Sequence, residues 1–305
     1  MQENELLSGV IAIDKPAGMT SHDVVGKLRR LYGTKQVGHT GTLDPMATGV
    51  LPVMVGRAVK ASEYLSSDQK HYLAGMQLGI TTDTEDITGN VLTHNEDLPK
   101  KEEVEAVLAR FRGKIMQIPP MYSALKVKGQ KLCDLARKGV EVERTPREIE
   151  IYRLELIESH EDKGLYYLDV ACSKGTYIRT LVADIGTALG CGGAMESLRR
   201  AAAGPFTLAD CHSIESLSEM SEEQKIAALC PVETLFSECE KVVLPDFYAE
   251  LARNGCEIYL SKLHLAYEAG TRLRLFRAKD GFFALGEVRA YPDGAAIKVL
   301  KLFKL

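Results

Sequence analysis

The sequence predicts a larger α/β (α+β) body followed by a small C-terminal β-barrel. Three observations carry this. Apolar strand-like runs alternate with helical periodicity as far as about residue 205; an acidic helical stretch follows; and beyond about Leu244 short strands crowd together around Asp280-Gly281 and Pro292-Asp293-Gly294 turns. A length of 305 residues suits about two domains. The boundary falls at residues 1–238 and 239–305, with a basic arm inserted at about 118–147.

The elements follow in order. Gly9–Asp14 reads as a buried strand closed by the turn Lys15-Pro16-Ala17-Gly18. Thr20-Ser21-His22-Asp23 offers N-cap residues, and Val24, Val25, Leu28 and Leu31 then share one helical face. Residues 38–52 (GHTGTLDPMATGVLP) hold three Gly and two Pro and predict an irregular loop. His71–Leu78 predicts a strand, TTDTEDITGN a polar loop, and Lys101–Phe111 a helix. Gln117–Tyr122 opens an extended basic stretch. Glu148–Ser159 and Leu165–Cys172 alternate as antiparallel strands, and Tyr177–Leu189 is a helix ended by Gly190. In the tail a helix near 246–254 precedes RLRLFRA, FFALGEVRA and AIKVLKLF.

Composition narrows the classes. Hydrophobic residues at 45% and charged residues at 26% exclude a disordered chain. No apolar run approaches the roughly 18–20 residues of a membrane span, and the start lacks the pattern of a secretory signal. Seven scattered cysteines without a CxxC pair argue against a zinc site or disulfide framework and for a reducing cytoplasm. The net charge of −4 hides asymmetry: Arg110 to Arg153 carries eleven Lys/Arg against five Asp/Glu, and Lys241 to Leu305 eleven against seven. Between them, Pro205–Glu240 carries one against eight. Two basic regions of this kind suit a polyanion.

P-loop, dinucleotide-binding, zinc-protease and nucleophile-elbow motifs are absent. What stands out is Asp44, a single acid inside the Gly/Thr-rich loop. An Asp-Pro turn initiator and a carboxylate nucleophile both fit that context.

GHTGTLDPMATGVLP closely resembles the signature of the bacterial tRNA pseudouridine-55 synthase family. The likeness continues through GVIAIDKPAGMTSHDVV, Lys70-His71-Tyr72, TTDTEDITG, IPPMYSALKVKGQKL with RTPR, and CSKGTYIRTLVADIG with LRRAAAGPF. These matches run in family order over about residues 9–206. The resemblance implies a pseudouridine synthase fold with a mostly antiparallel mixed sheet, and a tail related to the PUA module. Two positions depart from the pattern, Cys133 in place of an aromatic residue and Ala201 in place of a threonine.

The resemblance also implies site roles. Asp44, Tyr72 and Arg179 match the catalytic residues: Asp44 the essential acid, Tyr72 the tyrosine that stacks on an extruded uracil and can relay a proton, Arg179 the partner that keeps the acid ionised. Without it, Tyr72 reads as a strand tyrosine half in the core, Arg179 as a surface arginine and Leu198 as core. Tyr177 and Leu198 match positions lining the uridine pocket, and His39 one that packs against T-loop bases. Asp83 and Asp86 either contact flipped bases or cap a turn. Lys126 and Lys128 of the arm would meet RNA phosphates, and Lys15 would support the Asp44 loop. The implied reaction is isomerisation of uridine 55 in tRNA, which needs no metal, ATP or redox cofactor because both bonds belong to one nucleotide. Asp44 attacks C1′, as in glycoside hydrolysis, or adds to the uracil ring. The expected partner is the tRNA T-stem-loop, with no membrane and no small-molecule cofactor, for a monomeric cytoplasmic enzyme. The rivals are an RNA-binding chaperone and a sugar hydrolase; intact Asp44, Tyr72 and Arg179 weigh against the first, and the missing second carboxylate against the other.

Overall fold

The computed structural model describes residues 7–65, 69–123, 125–127 and 129–303. Its centre is a ten-stranded mixed sheet assembled from distant parts of the chain. Strand β1 (Gly9–Lys15) is buried on both faces, which explains its unbroken apolar run. Helix α1 (Ser21–Leu31) starts at a capping box: the Thr20 side chain accepts from the Asp23 amide, and the Asp23 carboxylate accepts from the Thr20 amide. Its apolar stripe of Val24, Val25 and Leu28 is buried. Strands β2 (Val37–His39) and β3 (Thr48–Val55) follow. The irregular loop is therefore shorter than the glycine and proline content suggests, because both ends of 38–52 are drawn into the sheet.

After a 3-10 segment (Gly56–Tyr64) come β4 (Lys70–Leu78), the hairpin β5 (Ile80–Thr82) and β6 (Val91–His94), helix α2 (Lys101–Leu108) and β7 (Gly113–Gln117). The arm holds a small hairpin, β8 (Lys126–Val127) with β9 (Gln130–Lys131), and helix α3 (Leu132–Ala136), anchored by buried Leu132. Lys128 lies outside the described residues. Strands β10 (Arg147–His160) and β11 (Leu165–Cys172) pair antiparallel as their alternation predicts. Helix α4 (Ile178–Leu189) ends at Gly190 in the left-handed region.

Strand β12 (Gly193–Ala203) was not expected, since GAMESLRRAAA has no clean alternation. It lies at the middle of the sheet, in the order β14-β1-β3-β12-β4-β11-β10-β7, with β2 on β3 and β13 (Phe206–Thr207) on β12. Strand β14 is Cys211–His212. The β3–β12 and β1–β14 pairs are parallel and the others antiparallel, so the sheet is mixed and mostly antiparallel. Two bulges in β12, at Met195/Ser197 and Arg200/Ala202, explain the irregular pattern. One core joins the sheet to α1, α2 and α4 through Leu28, Leu51, Met76, Leu108, Leu168 and Leu181.

Short helices α5 (Ile214–Glu219) and α6 (Glu222–Ala227) lead to the tail. There β15 (Glu240–Leu244), β16 (Ile258–Tyr259), β17 (Arg272–Arg277), β18 (Gly281–Tyr291) and β19 (Gly294–Leu302) form one sheet, packed by α7 (Asp246–Arg253) and α8 (Leu260–Leu263). Its order, β15-β17-β18-β19-β16, leaves two edges, so the expected barrel is a curled half-barrel of PUA-like form. An aromatic cluster of Phe236, Phe276, Phe282 and Phe303 joins it to Val10, Val50 and Met54 of the body.

Gly49 begins the covered part of β3 at φ +100°, and a β-carbon there would lie 2.2 Å from the Arg200 carbonyl oxygen. Gly49→Ala should therefore cost about 3 kcal/mol or more of folding stability, read as a lowered denaturation midpoint. An unchanged midpoint would show that β3 and β12 are not held this closely.

Candidate active site

Asp44 sits in the loop between β2 and β3, and its neighbours decide where it points. Leu43 and Ala47 are buried in the core, so the acid between them is turned the other way. The backbone is tied down on all sides. Ser21 Oγ accepts from the Leu43 amide at 2.8 Å and donates to its carbonyl at 3.0 Å. The Gly18 amide donates to the Pro45 carbonyl at 2.8 Å. Lys15, fully buried, donates from Nζ to the carbonyls of Met19 at 2.6 Å, Pro16 at 2.9 Å and Pro45 at 3.2 Å. Burial pulls its ammonium down to about 8. Lys15 thus supports the loop, as the resemblance implied.

Arg179 meets Asp44 with two nitrogens, Nε at 2.9 Å from Oδ2 and Nη2 at 3.3 Å from Oδ1. The guanidinium is buried and held elsewhere too: Nη1 donates to the Thr84 carbonyl at 3.0 Å, Nη2 to the Tyr122 carbonyl at 2.9 Å, and Asp86 lies 3.8 Å from Nη1. It is placed by the start of α4. Gln117 of β7 accepts from the Tyr177 amide at 2.8 Å and donates to the Tyr177 carbonyl at 3.0 Å, which fixes the residue before the first helical turn.

A cavity of about 550 Å³ opens here, within the usual range for ligand sites. Asp44, Tyr72, Arg179, Tyr177 and Leu198 all line it, brought together from a loop, β4, α4 and β12. Lys70, Arg147 and Lys174 add positive charge to the lining. Tyr72 is buried, and burial pushes its phenol above the ordinary range. Asp44 is also pushed up by burial, against the pull of Arg179. Arg179 favours the ionised acid, as an ion-pair partner does, while desolvation outweighs it in the direction of the shift.

The remaining candidates are placed differently. His39 stands on β2 at the loop's entry, outside the cavity lining; its Nδ1 is buried without a hydrogen-bond partner among the described residues, and burial lowers its pKa. Asp86 is buried behind Arg179, where it accepts from Thr84 Oγ1 at 2.9 Å and from the Thr88 amide at 3.0 Å. Asp83 caps the same loop through Asn90. The backbone of Lys126 lies in β8. Sequence reasoning missed Gln117 and Arg200, both buried polar residues at the site's rear. Gln117 carries no local signal; Arg200 sits in the quoted LRRAAAGPF, where its doublet with Arg199 was the available clue. Among the described residues no cluster of His, Cys, Asp and Glu could hold a metal ion, and no helix is long and apolar enough to cross a membrane.

Arg179→Met removes the main influence opposing the burial of Asp44. The Asp44 carboxyl should then titrate about one unit or more higher in the free protein, read by carbon NMR of labelled aspartate. An unchanged or lower midpoint would contradict the described pairing.

Comparison with known proteins shows the family. Residues 29–178 match the N-terminal domain of TruB family pseudouridylate synthases, and residues 179–237 match the tRNA pseudouridylate synthase B C-terminal domain. A tRNA pseudouridine synthase B from Alkaliphilus oremlandii is 46% identical over 97% of this chain and 98% of its own length. One from Francisella philomiragia is 49% identical over 77% of this chain and 78% of its own. Among solved structures, a Cbf5–Nop10–Gar1 complex aligns with TM-score 0.71 at 28% identity, covering 97% of this chain and 85% of that one. An archaeal box H/ACA Nop10–Cbf5 complex aligns with TM-score 0.72 at 27% identity, covering 99% and 88%. With identity sustained at this level along nearly the whole length of a relative, the chain belongs to the TruB family of pseudouridylate synthases.

Proposed function

We propose that this chain converts uridine to pseudouridine in tRNA, at position 55 of the T-loop. The observation that carries the reading is the Asp44 carboxylate, gripped by buried Arg179 at the edge of a cavity it shares with Tyr72. Family membership supplies the reaction class. A uridine inside a folded loop must leave its stack to reach such a cavity. Tyr72 and Leu198 then sandwich the uracil, and Tyr177 borders the ribose. Asp44 stabilises or traps the electron-poor C1′ as the N1 bond breaks, or adds to the ring; the uracil turns and C5 joins C1′. An Asp44 raised by burial is more basic than a solvated aspartate, which suits either attack. Isomerisation within one nucleotide is redox-neutral and requires no group donor.

Lys70, Arg147 and Lys174 at the cavity suit backbone phosphates, and the arm at 118–147 suits the T-stem-loop, with Lys126 and Lys128 as phosphate contacts. His39 packs against neighbouring bases as nucleotides swing out, and Asp86 acts through Arg179 or meets a flipped base. Residues 1–238 form the catalytic unit and 239–305 a PUA-like RNA-binding unit. A monomer acting in the cytoplasm, where tRNA is, completes the reading.

Asp44→Asn keeps shape and loses the charge. Pseudouridine formation on unmodified tRNA should fall by about a thousandfold or more, while tRNA affinity stays within a few-fold. Substantial residual turnover would remove Asp44 from the reaction; RNA binding without turnover by the unaltered protein would favour a chaperone. Activity should also persist in EDTA without ATP, and a strict divalent requirement with the RNA fold shown intact would contradict the chemistry. Neutralising Lys126, Lys128 and Lys131 together should flatten the salt dependence of tRNA binding by about two to three ion equivalents. An unchanged slope would show that the arm is no RNA clamp.

A further inference from the structure

Arg200 is fully buried, and among the described residues no carboxylate pairs with it. A buried cation in that state is costly unless its donors are satisfied or a negative charge forms beside it. Two donors are satisfied. Nε gives a hydrogen bond to the Val50 carbonyl at 2.6 Å and Nη2 one to the Gly41 carbonyl at 3.1 Å, so one side chain grips both ends of the Asp44 loop. The third nitrogen, Nη1, is buried and without a hydrogen-bond partner among the described residues. It lies beside Gly41, where a β-carbon would come within 3.6 Å of it, at a residue that lines the cavity. Directly across from Arg200 in the antiparallel β4–β12 register stands Tyr72, buried on the same face.

We propose that Arg200 is the counter-charge of Tyr72, a positioning residue that makes the phenol oxygen able to take the proton that C5 of the uracil loses. This rests on the pseudouridine reading. Once C5 has bonded to C1′, it still carries its hydrogen. The Tyr72 phenol first gives its own proton to water; its oxygen then takes the C5 proton and is a phenol again, the C–H electron pair restores the C5–C6 double bond, and N1 takes a proton back from water, so the product is an isomer and the enzyme is unchanged. A tyrosinate in an apolar wall is prohibitive without a cation, and Arg200 is the largest influence working against the burial of Tyr72. The other charged or titratable groups facing Tyr72 are Cys172 from β11 and Asp44 from the loop, and both oppose ionisation. Around Arg200 itself stand Lys15, His39 and Cys211, none of which supplies an anion at neutral pH.

The test uses full-length protein with Tyr72 labelled as 3-fluorotyrosine, assigned by comparison with Tyr72→Phe. Arg200→Met should raise the Tyr72 midpoint by about one unit or more, and Arg200→Lys, which keeps the charge and long stem, should restore most of that shift. In single turnover, Arg200→Met should slow the reaction about tenfold or more at neutral pH and move its pH profile upward, with tRNA affinity within threefold. A folded Arg200→Met with an unmoved Tyr72 midpoint overturns the proposal. If Arg200→Met does not fold, the Arg200→Lys variant decides: a Tyr72 midpoint more than about one unit above the unaltered protein overturns it, and one close to it supports it. The titration needs no RNA. A correct Tyr72 shift in a protein that makes no pseudouridine would therefore fail the functional reading and not the Arg200–Tyr72 linkage.

Discussion

The contact between Asp44 and Arg179 is the constraint around which the body is arranged. A partly buried acid and a buried guanidinium can keep two direct contacts with each other only if both backbones are immobile. The acid's loop is pinned by Ser21, Gly18, Lys15 and Arg200, drawn from α1, β1 and β12 and their turns. The base is pinned through Tyr177 by Gln117 at the far edge of the sheet, and by the carbonyls of Thr84 and Tyr122. Much of the fold's polar interior therefore serves one ion pair. The charges are not left at their solvated values, since burial dominates Asp44 and Tyr72 alike. Catalytic sites commonly accept such a cost in stability in exchange for reactive groups that are neither hydrated nor mobile.

Elements whose cause is local were readable in the chain. The Thr20–Asp23 capping box, the glycine stop at Gly190 and the alternation of β10 and β11 are written within a few residues of where they act. Strand β12 was not, because its two bulges break the period of two and its Arg199-Arg200 pair looks like a solvated surface. Only the tertiary fold shows that Arg199 turns out to meet Asp14 at 2.9 Å while Arg200 turns in. The site was legible to a different degree. The residues lining the cavity could be named from motif resemblance, but their electrostatic state could not. The sign of the Asp44 shift depends on how deeply the loop is buried, a property of the assembled sheet. Gln117 was invisible for the same reason, since its partner lies 60 residues away.

The tail is not merely appended. Phe236, Phe276, Phe282 and Phe303 pack in one cluster with Val10, Val50 and Met54, so the half-barrel shares a hydrophobic core with β1 and with β3, the strand that follows the Asp44 loop. Tyr64 adds a hydrogen bond from its hydroxyl to the Leu300 carbonyl, and Arg272 one to the Tyr64 carbonyl. An interface built this way holds the tail rigidly against the body, unlike the polar, mobile contacts typical between loosely tethered domains.

The position of β12 has a consequence for synthesis on the ribosome. It is inserted between β3 and β4, which precede it by more than a hundred residues, and it carries Leu198 into the cavity wall and Arg200 behind it. Until that segment emerges, the nascent chain holds two incomplete half-sheets, each with an open edge and an apolar face. Closing them joins contacts of high sequence separation, the slow class of folding step. The cavity is therefore assembled late and all at once, when a single strand zips between two waiting edges. Before that moment the exposed edges are the part of the chain most in need of protection from neighbouring chains.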